Sequence, residues 1–168
     1  MSNWPDFFNY APMKELAGFL SSYNMASQTV ALDANANDIQ SSGGGACMIN
    51  GVFIPALAAD AALDISADNV GDATGVSIAD DYDQYFLILA DADGTLSVWK
   101  AGDAAATGEA VLSIPDFDTE TYCAVAIMKV VNDSGDALVI GTTALTGDVT
   151  FYQLTGPIFP AWANIVKR

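Results

Sequence analysis

Apolar residues in this chain come mostly in short runs separated by turn residues. Residues 85–90 read Tyr-Phe-Leu-Ile-Leu-Ala and are apolar on both faces. Such a run predicts a strand buried between two layers. Asp93-Gly94 then turns the chain, and residues 95–100 alternate. Leu96 and Val98 point one way, and Thr95, Ser97 and Trp99 point the other. These two runs make the clearest hairpin in the sequence. Residues 46–57 form a further apolar stretch, broken by the hairpin or bulge signal Asn50-Gly51. Residues 61–65 and 75–79 are short strand candidates, and residues 66–74 between them read as an acidic loop. Residues 33–45 also read as a loop, through Asn35-Ala36-Asn37-Asp38 and Ser41-Ser42-Gly43-Gly44-Gly45.

The last third repeats the scheme. Residues 109–114 are a strand candidate bounded by Pro115, and residues 121–131 are a long strand with few charges. A turn over residues 132–136 is expected to send residues 137–142 back, and residues 150–154 complete a meander. Strands at this spacing indicate an antiparallel sandwich or barrel. Helix-length patterns are missing after residue 23, which disfavours parallel α/β units. The opening differs. Met13, Leu16, Ala17 and Leu20 fall at helical spacing behind Pro12, predicting one short helix over residues 13–22. Trp4, Phe7, Phe8, Tyr10 and Phe19 crowd the same segment. This aromatic arm either caps its own core or docks on a neighbouring subunit, since aromatics are favoured interface anchors. The expected organisation is an arm at 1–27, a β domain at 28–160 and a tail at 161–168.

Composition sharpens this picture. The chain of 168 residues carries 21 acids against five bases, a formal charge of −16, and no histidine, yet is 52% hydrophobic. High hydrophobicity with few charges excludes a disordered chain. An acidic surface without a basic stripe disfavours nucleic acid and anionic membranes as partners. No apolar run reaches the roughly 18 residues of a membrane span. The start, Met1-Ser2-Asn3-Trp4-Pro5-Asp6, lacks the pattern of a signal peptide, so synthesis in a cytoplasm is expected. Cys47 and Cys123 are expected as buried thiols, and the sequence does not say whether they meet.

Candidate chemistry is sparse. The glycines at 43–45 have no lysine nearby and do not make a phosphate loop. Asp91-Ala92-Asp93-Gly94 fails as a calcium loop, because Leu89 and Lys100 fall at its first and last ligand positions. Asp80, Asp81 and Asp83 make a looser acidic group, read as a solvated turn. Asp116, Asp118 and Glu120 sit close together as a candidate glycosidase pair, but a turn after Pro115 would keep them ionised. Without histidine, neither a Ser or Cys nucleophile with its usual base nor a zinc site can be assembled, and Lys100 and Lys129 have no serine motif beside them. No enzyme, cofactor or metal is therefore expected. Trp99, Tyr122, Tyr152, Phe159 and Trp162 are spread through the β region, and an exposed Trp99 would suit a glycan-binding or adhesion module as the alternative function.

Three segments carry a resemblance. They are Phe-Leu-Ile-Leu-Ala-Asp-Ala-Asp-Gly-Thr-Leu-Ser-Val-Trp at 86–99, Val130-Val131-Asn132-Asp133-Ser134-Gly135, and Ile140-Gly141-Thr142-Thr143-Ala144-Leu145. Residues 85–102 and 121–160 resemble structural proteins of tailed-phage virions, of the capsid decoration (cement) and head-fibre type. That resemblance implies a β-sandwich or jelly roll on the outer shell, often trimeric. The fold expected is thus all-β, an antiparallel β-sandwich or jelly roll with an arm containing one short helix. The function expected is a homo-oligomeric virion protein that binds the major capsid protein or other virion proteins, with Trp4, Phe7, Phe8, Tyr10 and Phe19 as candidate interface residues.

Overall fold

A computed structural model describes residues 22–26, 28–32, 38–64, 73, 75–115, 117–145 and 148–156. The expected arm aromatics Trp4, Phe7, Phe8, Tyr10 and Phe19, residues 13–21 of the expected helix, and the 161–168 tail lie outside these residues. The described part is all-β and every pairing is antiparallel. Its strands are β1 (Tyr23–Asn24), β2 (Val30–Leu32), β3 (Asp38–Ser41), β4 (Cys47–Ile49), β5 (Val52–Ile54) and β6 (Asp60–Asp64). Then come β7 (Ser77–Ile78), β8 (Tyr82–Ala90), β9 (Leu96–Lys100), β10 (Ala105–Ala106), β11 (Cys123–Asn132), β12 (Leu138–Val139) and β13 (Asp148–Gln153).

The largest sheet has five strands. β8 lies inside it, with β11 along one edge and β9 and β10 end to end along the other. β13 closes the far side of β11. Three small sheets accompany it: β1-β4-β5, β2-β3-β6 and β7-β12.

β8 and β11 are dry on both faces. Phe86, Ile88, Val98, Met128 and Val130 project into one core, where Ile39, Cys47, Ile49 and Ile78 of the small sheets meet them. Leu87, Leu89, Ala124 and Ile127 project the other way and are covered by Ile114 and Phe117. Burying a side chain of this size contributes about 1.5–3 kcal/mol, so both covers are needed to use the whole of β8. Alternation alone would not distribute β11 this way. Its register to β8 slips between Ala124 and Ala126, an extra-residue bulge. Val125 and Ala126 therefore both serve the first core, and Cys123 and Met128 share a face despite their odd and even numbers.

Side chains join the layers. Gln153 Nε2 donates to the Val30 carbonyl at 3.0 Å and its Oε1 accepts the Val30 N–H at 3.3 Å, so one side chain imitates a ladder step between β13 and β2. Gly94 has φ +88° in the β8–β9 turn, and a Cβ there would stand 2.6 Å from the Ala58 nitrogen. Only glycine lets that turn lie against the segment after β5.

Three sequence expectations are corrected. Residues 38–41 form β3 instead of loop, because Ile39 is fully buried and anchors an otherwise polar strand. Residues 109–114 make no strand. They cross the second face as cover, joined to β9 through Ser113 N–H donating to the Ala101 carbonyl at 3.1 Å. Residues 137–142 do not run back along β11. Asn132, 1% exposed, donates from Nδ2 to the carbonyls of Ile78 at 2.9 Å and Asp136 at 2.8 Å. That amide sends the chain to β7, where β12 pairs, and leaves the β11 edge to β13.

Asn132→Ala should cost about 2 kcal/mol, since the buried Ile78 carbonyl loses its donor and the turn at Asp136 loses a tie. Urea unfolding with an unchanged m-value checks this. A loss below about 0.5 kcal/mol would mean that the amide does not hold the turn.

Candidate functional site

The small sheet β1-β4-β5 presents the most unusual surface. Asn50 and Gly51 have φ of 49° and 74°, both left-handed, which closes β4 and β5 into a two-residue hairpin. The turn is pinned from below. Buried Ser22 Oγ accepts the Asn50 N–H at 2.7 Å and donates to the Thr119 carbonyl. Cys47 and Ile49 face the core, so the residue between them faces out. Register then aligns Tyr23, Met48 and Phe53 in a row across the three strands. Phe53 is 54% exposed, and Met25 and Val52 beside the row are also exposed. β5 has no further partner strand among the described residues. The result is an apolar row on a sheet with an unpaired edge, a form suited to protein contact.

A second cluster lies on the opposite face of the large sheet. Asp83 is fully buried, and Lys129 Nζ stands 2.6 Å from its Oδ2. Asp83 also accepts the N–H groups of Gly108 at 3.0 Å and Ala110 at 3.1 Å. Lys129 lies 5.5 Å from the centre of the Tyr85 ring. Burial alone would raise the Asp83 pKa, but the Lys129 ammonium and the two amides outweigh it and hold the carboxyl below its ordinary range. Lys129 is shifted up by its bond to Asp83. Both Asp83 oxygens are bonded to structural partners, so the group ties the 107–110 segment to the sheet.

Other acids close turns. Asp80 accepts the Gly135 N–H at 2.8 Å, away from the buried Asp83 ion pair. Asp91 Oδ1 accepts the N–H groups of Asp93 and Thr95, both at 2.9 Å. Asp118 is exposed and takes the Thr121 hydroxyl at 2.6 Å and the Glu120 N–H at 2.9 Å, contacts that lower its pKa. A glycosidase acid needs the reverse, a carboxyl kept protonated. Asp116 lies outside the described residues. No group of three or more His, Cys, Asp or Glu that could hold a metal ion occurs among the described residues. An open groove of about 620 Å3 runs past Lys100, Asp103, Glu109 and Val111. Lys100 pairs with the exposed Asp103 at 2.8 Å there, a surface contact of small energetic weight.

Trp99 is half-buried and packs against the second core, which removes it as an exposed platform. Tyr152 is exposed on β13, Tyr122 is half-buried, and Phe159 and Trp162 lie outside the described residues. Sequence reading passed over the Tyr23–Met48–Phe53 row. The signal was present, since Asn50-Gly51 fixes a register that sets Phe53 opposite Met48. Compared with known proteins, the chain matches no family model, no curated protein and no solved structure.

Asp83→Ala should cost about 3 kcal/mol at neutral pH, because it leaves Lys129 and two amides unpaired. The sign with pH follows from the shifts. Asp83's contribution is complete above the ordinary carboxyl value of 3.8 and is lost as pH falls through its lowered pKa. Lys129's contribution is complete below 10.5 and is lost as pH rises through its raised pKa. Urea titrations of both proteins should therefore show a constant gap between about pH 5 and 9 that narrows in stronger acid and stronger base. A gap that widens on acidification would contradict the pairing.

Proposed function

We propose that this chain is a virion structural protein, a capsid decoration or cement subunit that binds and stabilises neighbouring shell proteins. The partly exposed apolar row of Tyr23, Met48 and Phe53, beside a strand edge left unpaired among the described residues, carries the reading. It gives a rigid β protein a surface for a protein neighbour. The acidic charge fits a position outside a shell, where affinity for packaged nucleic acid is not needed. The resemblance of residues 85–102 and 121–160 to tailed-phage virion proteins supports the same role. Binding only to the assembled shell would lower the shell's free energy by mass action. The proposal includes synthesis in the host cytoplasm, residence in the virion and self-association as a trimer or other homo-oligomer. It also takes the small sheets packed over the first face of the five-stranded sheet as one half of a β-sandwich or jelly roll. A glycan-binding role would want an exposed aromatic platform, and half-buried Trp99 does not supply one.

Mass spectrometry of particles from the source culture should count the chain in a fixed ratio to the main shell protein. Its absence from purified particles would overturn the proposal. Recombinant chain should also bind undecorated shells, and Phe53→Asp should weaken that binding at least about tenfold, as for an interface anchor. Undiminished binding would remove the Phe53 row from the contact.

A further inference from the structure

Cys47 and Cys123 are both fully buried in the first core, and neither is bridged. They come from different layers, Cys47 from β4 of a small sheet and Cys123 from the start of β11 in the large one. The β11 bulge decides that they face each other. In the register of Ala126, Met128 and Val130, an odd-numbered residue such as 123 would point to the second core. The extra residue at Val125 reverses this and turns Cys123 toward β4. Both thiols belong to the same buried core, β4 and β11 are in contact, and each thiol perturbs the titration of the other.

We propose that Cys47 and Cys123 are an oxidation site that closes into an intramolecular disulfide, clamping the β1-β4-β5 sheet to the centre of the large sheet. The inference goes beyond the shell role and does not depend on it. With hydrogen peroxide as oxidant the chemistry balances. The Cys47 thiolate attacks one peroxide oxygen, the O–O bond breaks, and the hydroxide released takes up the Cys47 proton as water. The product is a sulfenic acid on Cys47. The Cys123 sulfur then attacks the Cys47 sulfur, forming the S–S bond and breaking the S–O bond. The second hydroxyl leaves with the Cys123 proton as water. Two thiols are oxidised and one peroxide is reduced to two waters. The order of attack follows from the contact. Its hydrogen bond to Cys123 lowers the Cys47 pKa, whereas the same bond and burial raise that of Cys123. Burial sets the timing, because oxidant reaches the pair only when the small sheet opens. A reducing cytoplasm keeps the thiols free, and an oxidising medium closes them.

The test uses the full chain, folded and treated with hydrogen peroxide or with dithiothreitol, then alkylated in denaturant. The oxidised sample should resist alkylation, lose the mass of two hydrogen atoms and yield one peptide pair joined through Cys47 and Cys123. Its thermal midpoint should lie about 10 °C above the reduced sample, as for a bridge across a long loop. The oxidant should not shift the midpoint of Cys47→Ala. Thiols that stay alkylatable, sulfurs that end as sulfinic acids, or bridges between two chains would each overturn the proposal. The mass measurement needs no variant, so a misfolded Cys47→Ala would leave the test intact.

Discussion

Two strands with apolar side chains on both faces cannot be left half-covered, and that constraint organises this molecule. β8 and β11 put Phe86, Ile88 and Met128 on one side and Leu87, Leu89 and Ile127 on the other. The chain before β8 supplies most of one cover, as small sheets carrying Ile39, Cys47 and Ile49. The chain between β9 and β11 supplies the other, as an irregular segment carrying Ile114 and Phe117. The covers are short because each needs only to dry a few positions. The outward face of one cover sheet then carries Tyr23, Met48 and Phe53, which the chain's own described residues leave partly open.

Charge is arranged around the same centre. With 21 acids and five bases, few carboxylates can find a cation. The one buried carboxylate among the described residues, Asp83, is matched by Lys129 and two amides. Others, such as Asp91 and Asp118, close turns by accepting backbone N–H groups and stay at the surface. Their like charge opposes association, so any contact between such molecules must be made through apolar patches. The electrostatics and the packing thus leave the same kind of surface for a partner.

Much of the central sheet was legible in the sequence. The both-sided run of β8, the alternation of β9, the Asn50-Gly51 hairpin and the long β11 all follow from local pattern. What escaped depends on single residues acting at a distance. β3 reads as loop because Ile39 is the one apolar residue among Asp38, Gln40 and Ser41. The pairing of β12 with β7 follows from the Asn132 amide reaching the Ile78 carbonyl, and no local pattern encodes that reach. Residues 109–114 have the letters of a strand but are used as a lid. The Asp83–Lys129 pair joins strands far apart in sequence, and the β11 bulge that orients Cys123 leaves no mark in composition.

Residue-resolved hydrogen exchange under native conditions tests the central constraint most directly. If β8 and β11 are the twice-covered centre, the amides of residues 86–89 and 126–130 should exchange only through global unfolding. Amides of the β4–β5 hairpin should then exchange faster, through local opening. Equal protection in the hairpin and the centre, or fast exchange in residues 86–89, would contradict the account.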